Sequence, residues 1–182
     1  YNDFDLEGKL YKDRKVRFTM IIDAKMEKAL NGQIRAELES AYLYLSMASW
    51  FDANDLPGCA HWMKKQAAEE QEHAMKIYEY VVARGGHVIL EAIAAPRNEW
   101  KNATEIFQQT LEHEQKVTAL IYELVEKAME MKDYATRGML SWFVQEQVEE
   151  EEHAMEILAK FKKLGEIPIS LAMLDKELGD RS

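Results

Sequence analysis

Phe143-Val144-Gln145-Glu146-Gln147-Val148-Glu149-Glu150-Glu151-Glu152-His153-Ala154-Met155-Glu156-Ile157 carries four consecutive glutamates, a pattern that on most helices is a solvated face. Taken at the alternating three- and four-residue spacing of a buried face and extended one turn back, the same stretch gives Met139, Phe143, Glu146, Glu150, His153 and Ile157. This is an apolar stripe interrupted by acids and an imidazole. Three earlier segments behave alike: Leu30, Ile34, Glu37, Ala41, Tyr44, Ala48; then Ala60, Met63, Ala67, Glu70, Ala74, Ile77, Val81; then Phe107, Thr110, Glu114, Val117, Ile121, Leu124, Ala128. Each stripe is apolar except near its middle, where a carboxylate sits.

One glutamate on a helix ordinarily faces water. Four interruptions, one per stripe, do not fit that reading. A buried unpaired carboxylate is costly or takes up a proton, and several converging raise the cost steeply unless a multivalent cation lies among them. Two of the acids have a histidine three residues on, in Glu70-Gln71-Glu72-His73 and Glu150-Glu151-Glu152-His153. Positions i and i+3 share a helix face, so a carboxylate and an imidazole can reach the same metal pair. Oxygen and nitrogen ligands without thiolate suit iron or manganese, with zinc a possible occupant.

Composition supports long helices. Pro totals 3 and Gly 8, and residues that keep rotamer freedom in a helix fill most of the chain. A formal charge of -10 argues against nucleic acid and anionic membrane as partners and favours cations. One Cys excludes a disulfide framework and a thiolate metal site. No apolar run reaches spanning length and residues 1–20 lack the apolar stretch of a signal peptide, so a cytoplasmic protein is expected.

Turn signals at Asp52 to Gly58, at Arg84-Gly85-Gly86 and on to about Asn102, at Lys132-Asp133-Tyr134, and at Gly165 to Pro168 predict helices over roughly 23–52, 57–84, 103–132, 134–164 and 169–179. The third break is the weakest, since nothing there forbids a continuous helix. The connection between the second and third helices is long enough to run the length of a bundle, which permits a crossover. Residues 1–19 stand apart as an N-terminal extension with no assigned role, leaving 20–182 as the folded domain. Cys59 is read as a small buried apolar residue, with a lowered thiol pKa near a helix start as the alternative. His113 is read as a surface or supporting residue.

Gln33 to Glu37, Tyr42 to Ala48, Ala68-Glu69-Glu70, Glu112-His113-Glu114, Trp142 to Glu151 and Leu174 to Leu178 together resemble the bacterial and archaeal non-haem ferritins over nearly all of residues 20–181. The resemblance implies an all-α, ferritin-like four-helix bundle with a long crossover between helices 2 and 3 and a short C-terminal fifth helix. It implies Glu37 and His73 on a first iron, Glu114 on a second, Glu70 bridging, and Gln147 and Glu150 on the second iron's side. Glu69, Glu146 and Glu149 match the acids of a third iron site, and Tyr44 matches a tyrosine that can donate an electron. A ferroxidase acting on Fe(II) with O2 or H2O2, and a homo-oligomeric shell of 24 subunits storing ferric mineral, are implied by the same likeness.

Three positions depart from the pattern. His153 makes the ligand set look like that of bacterioferritin. Gln71 stands where bacterioferritins carry the haem-ligating Met, so no haem is expected. The positions matching the acidic three-fold pore of animal heavy chains are Arg137 and Leu140. Two rivals stay open: a rubrerythrin-like or other di-iron oxidoreductase without mineral storage, against which the closing helix and the missing rubredoxin cysteines count, and a purely structural bundle.

Overall fold

The computed structural model describes residues 21–165 and 167–181, so the extension over 1–19 lies outside the described residues. Five helices follow in order: α1 Ala24–Ala53, α2 Pro57–Ala83, α3 Ala103–Glu130, α4 Tyr134–Leu164 and α5 Pro168–Gly179. No strand occurs among the described residues.

The helix ends follow from local chemistry. The Asp23 carboxylate accepts from the Lys25 N–H at 2.8 Å, and Asn102 accepts from the Glu105 N–H at 2.9 Å, each satisfying a donor with no partner inside the helix. Pro57 opens α2, where its missing N–H costs nothing. The α3–α4 break, weakest in the sequence, is sharp. Lys132 takes φ 55°, and the Asp133 carboxylate accepts from the Thr136 N–H at 3.1 Å while pairing with Arg84 at 3.1 Å.

The buried apolar residues form two clusters. One contains Met47, Phe51, Met63, Phe107, Phe161 and Leu178; the other contains Leu30, Ile77, Val81, Ile121, Leu124 and Phe143. Each long helix passes from one cluster to the other, and its interrupting polar residue falls between them. The order in which each helix meets the clusters sets its direction. α1 and α4 run one way, and α2 and α3 run the other. Because α2 and α3 are parallel, their connection must return along the whole bundle. It does so beside α1: His87 O accepts from Asn31 Nδ2 at 3.0 Å, Glu91 pairs with Arg35 at 2.7 Å, and Arg97 O accepts from Ser46 Oγ at 2.7 Å.

On α1, α2 and α3 every residue of the sequence-derived stripes is buried. On α4 the stripe is displaced. The buried residues are Thr136, Leu140, Phe143, Gln147, Glu150, Ala154, Ile157, Leu158 and Phe161. Phe143, Glu150 and Ile157 fit both patterns, because steps of three-then-four and four-then-three share every seventh residue. The core takes the amide of Gln147 and the methyl of Ala154, and the ionisable Glu146 and His153 turn towards its edge. The position of Arg137 is exposed and Leu140 is fully buried, so Leu140 belongs to the core rather than to a pore lining.

α5 closes one end of the bundle by burying Leu174 and Leu178 in the first cluster. Leu56, before Pro57, offers no side-chain cap to α2; instead Asp175 of α5 accepts from the Cys59 N–H at 2.8 Å, a carboxylate at the positive end of the helix dipole. The contact requires Gly58, where an added Cβ would lie 1.7 Å from the Asp175 carbonyl oxygen. Cys59 is buried, and burial, then the Asp175 charge, pushes its thiol pKa up. The buried apolar reading holds, and the lowered-pKa alternative fails.

Candidate metal centre

The polar layer between the two clusters is built from all four long helices. α1 supplies Glu37 and Tyr44, α2 supplies Glu70 and His73, α3 supplies Glu114, and α4 supplies Gln147 and Glu150; all seven are buried. Ligand atoms of Glu37, Glu70 and His73 lie within 4.8 Å of one another, and so do those of His73, Glu146 and Glu150. His73 belongs to both groups, so they form one continuous site. Its Nδ1 faces Glu70 Oε2 at 3.7 Å and its Nε2 faces Glu146 Oε1 at 4.0 Å. Phe143 and Trp142 hold the ring edge-on at centroid distances of 6.0 and 5.3 Å.

Donors are too few for these acids. Glu37 accepts from Gln33 Nε2 at 2.9 Å and otherwise meets only the carboxyl of Glu70. Glu114 accepts from the Tyr44 hydroxyl and from Gln147 Nε2 at 3.2 Å. Glu150 accepts from Gln66 Nε2 at 2.5 Å. Oε2 of Glu37 and Oε2 of Glu70 are buried without a donor. Burial pushes Glu114 up to about 7, and burial with the Glu114 charge pushes Glu150 up to about 8. Glu70 is raised well above the ordinary range by burial and then by Glu37 and Glu114. Glu37 is raised by burial, against the lowering contacts with Glu70 and Gln33. Tyr44 is also raised, by burial and by Glu114. Protons quench this charge when no metal is bound; a pair of divalent cations would quench it better, because each also uses the lone pairs that lack donors.

The family model "Ferritin-like domain" matches residues 27–166. The chain belongs to the ferritin family. Among its relatives, a bacterial non-heme ferritin of Bacteroides fragilis is 41% identical over 161 residues, covering 88% of this chain and 100% of the relative. A probable bacterial non-heme ferritin-like protein of Haemophilus influenzae is 39% identical over 162 residues, covering 89% and 98%. An open pore ferritin from the archaeon Archaeoglobus fulgidus superimposes with a TM-score of 0.87 at 50% identity, covering 88% of this chain and 98% of that one.

Not every residue expected at the ferritin centre lies there. His153 is exposed and lines a separate depression with Trp62, Glu156 and Arg181, one step around α4 from Glu150. It is not among the groups that converge on the polar layer. The second Glu-x-x-His thus places its glutamate in the polar layer and its histidine outside the converging groups, because the buried face of α4 runs through Gln147 and Ala154. Glu149 is exposed. Glu69 is half-buried and pairs with Arg181 at 2.5 Å, while Glu146 reaches the layer's edge through His73. His113 has its Nε2 2.7 Å from Ser40 Oγ and stands edge-on to Tyr44; burial and then Lys116 push it down to about 4, so it is a neutral neighbour of the site.

Four contributing residues were missed in the sequence. Gln33 and Gln66 lie four residues before Glu37 and Glu70, and Thr118, whose hydroxyl accepts from Gln147 Nε2 at 3.3 Å and donates to Glu151 at 2.6 Å, lies four after Glu114. Only Gln33 bonds the acid one turn away in its own helix; Gln66 and Thr118 reach across to α4, so the spacing signals a polar layer without naming the partner. Arg181 carries no comparable signal.

Proposed function

We propose that this ferritin oxidises Fe(II) at the polar layer and stores the Fe(III) product as mineral inside a shell of 24 copies. The observation that supports this best is the pair of donorless carboxylate oxygens, on Glu37 and Glu70, buried beside His73. In this reading Glu37 and His73 hold one Fe(II), Glu114 holds the other, Glu70 spans the two, and Gln147 and Glu150 face the second. The carboxylates neutralise the metal charge and can shift between modes as it rises, while the imidazole fixes geometry. Two Fe(II) give two electrons that, with two protons, take O2 to H2O2 or H2O2 to two waters. One electron from Tyr44, whose hydroxyl points at Glu114, and one from a third Fe(II) at the outer position, with two more protons, carry O2 on to water. Glu69, Glu146 and Glu149 form an outer, third iron position from which oxidised iron leaves.

No haem is assigned, because Gln71 has no thioether to serve as an axial ligand. A cytoplasmic protein fits this role, and no described helix is long and apolar enough to cross a membrane. Glu70→Ala should abolish rapid Fe(II) oxidation in stopped-flow while far-ultraviolet dichroism stays unchanged, since the substitution removes a bridging ligand and also relieves carboxylate repulsion. Oxidation at the wild-type rate would sink the assignment.

A further inference from the structure

The bundle end closed by α5 holds a cation already seated against Glu69, one of the outer acids. Arg181 follows α5, and the guanidinium lies 4.8 Å from the centroid of the Trp62 ring. It donates to the Trp62 carbonyl at 3.5 Å, to Gln66 Oε1 at 2.5 Å and to Glu69 Oε2 at 2.5 Å. The Arg181 carbonyl accepts from His61 Nε2 at 2.9 Å, which fixes the backbone that carries the side chain. Gln66 is buried, and its amide donates onward to Glu150. A continuous run of hydrogen bonds therefore joins the C-terminal residues to one ligand of the centre and to one acid of the outer position.

As a surface ion pair, Arg181 and Glu69 would contribute little. Their place gives the contact its consequence. A guanidinium that occupies a carboxylate oxygen competes with a metal for its lone pairs and repels a second cation nearby. Gln66 fixes where the guanidinium sits: its oxygen accepts from Arg181 while its N–H stays on Glu150, so the cation rests beside the centre without touching a residue that holds the first two ions.

We propose that Arg181 is a tethered cation that holds Glu69 until iron takes the outer position, so that the centre fills first and the outer position second. Filling the outer position then frees the C-terminal residues from Trp62. This rests on reading Glu69, Glu146 and Glu149 as an outer iron position, and the test separates the two ideas. Arg181 is a positioning residue acting through Glu69 and Gln66.

Zn(II), which undergoes no redox chemistry, serves as the probe on the assembled protein, followed by calorimetry and by tryptophan emission. Wild type should bind two ions at the centre and a weaker third, with a change in emission at the third equivalent that Trp62→Phe removes. Arg181→Gln should tighten the third ion about tenfold, a usual size for coupling between neighbouring sites, leave the first two unchanged, and show the altered emission from the start. Arg181→Lys keeps the positive charge and should lie much nearer wild type. If Arg181→Lys tightens the third ion as much as Arg181→Gln, the effect comes from disturbed packing and the proposal falls. If Glu69→Gln removes the third ion but Arg181→Gln moves neither affinity nor emission, the tethered cation is wrong and the outer position stands. If a third ion still binds with wild-type affinity in Glu69→Gln, the outer position itself is wrong, and the proposal falls with it.

Discussion

Glu150 shows what the polar layer costs and why a metal relieves it. Burial, then the Glu114 charge, raises its carboxyl from an ordinary 4.5 to about 8, against the lowering pull of the Gln66 amide. A group with a raised folded pKa contributes fully below its unfolded value and loses that contribution as pH rises through the folded one. Metal-free protein should thus lose stability between pH 4.5 and about 8 from this residue, the window in which bound metal becomes most stabilising. Glu150→Gln has no charge to suppress, so its melting temperature, measured against metal-free wild type, should gain steadily from about pH 5 to about pH 8.5. Parallel melting curves would show that Glu150 is ionised throughout. His153 makes the opposite case: exposed and apart from the converging groups, it should leave Fe(II) oxidation within about twofold of wild type when replaced by Ala, since surface changes away from a site have small effects. A tenfold loss in stopped-flow would return it to the ligand set. Reading these residues from the sequence succeeded where periodicity was unambiguous. It failed on α4, where Phe143, Glu150 and Ile157 satisfy two stripes and only packing against neighbours chooses Gln147 and Ala154 over Glu146 and His153.

At the scale of the helix, the breaks were legible because each rests on local chemistry: Asp23 and Asn102 as caps, Pro57 at a first turn, Gly85 with φ 70° after α2. The docking of α5 was not, because it joins residues more than a hundred positions apart. Gly58 reads in the sequence as part of a turn, yet its missing side chain is what lets the Asp175 carbonyl approach. A Cβ there cannot be absorbed by a side-chain rotation, since the obstacle is backbone. Gly58→Ala should therefore cost about 1–3 kcal/mol as overpacking does, and α5 should bear the cost. Hydrogen exchange over 168–179 should accelerate while α1 to α4 keep their protection; unchanged exchange in α5 would show that α2 can yield instead. The groove between α1 and α2 carries a second element-scale expectation. Gln71 lies there with Leu38, Tyr42, Leu45, Met75 and Ile93, and protein expressed with added haem should show no Soret band. A stoichiometric band would mean that Met75, one turn along the same face, supplies the thioether that Gln71 lacks.

For the molecule as a whole, the apolar surface left outside the bundle must be accounted for. Tyr42, Leu45 and Met75 are 50, 43 and 49% exposed, and they line one groove rather than being scattered. Clustered apolar exposure of this kind marks a surface that meets another chain, and a face contributed by α1 and α2 can be covered by the same face of a second copy. The buried residues of the polar layer, in contrast, all come from one chain, so assembly and the geometry of the layer can be tested separately. Light scattering should give a particle on the order of hundreds of kilodaltons, as closed symmetric assembly of many copies requires. Glu70→Ala should leave that mass unchanged, whereas Leu45→Glu combined with Met75→Glu, which places like charges face to face across a paired groove, should break the particle into small species that keep their helical dichroism. A double variant that stays assembled would exclude the groove as an interface. A wild-type particle no larger than a dimer would remove the cavity that mineral needs, and the same polar layer would then be read as the centre of a rubrerythrin-like oxidoreductase that turns over without storing iron.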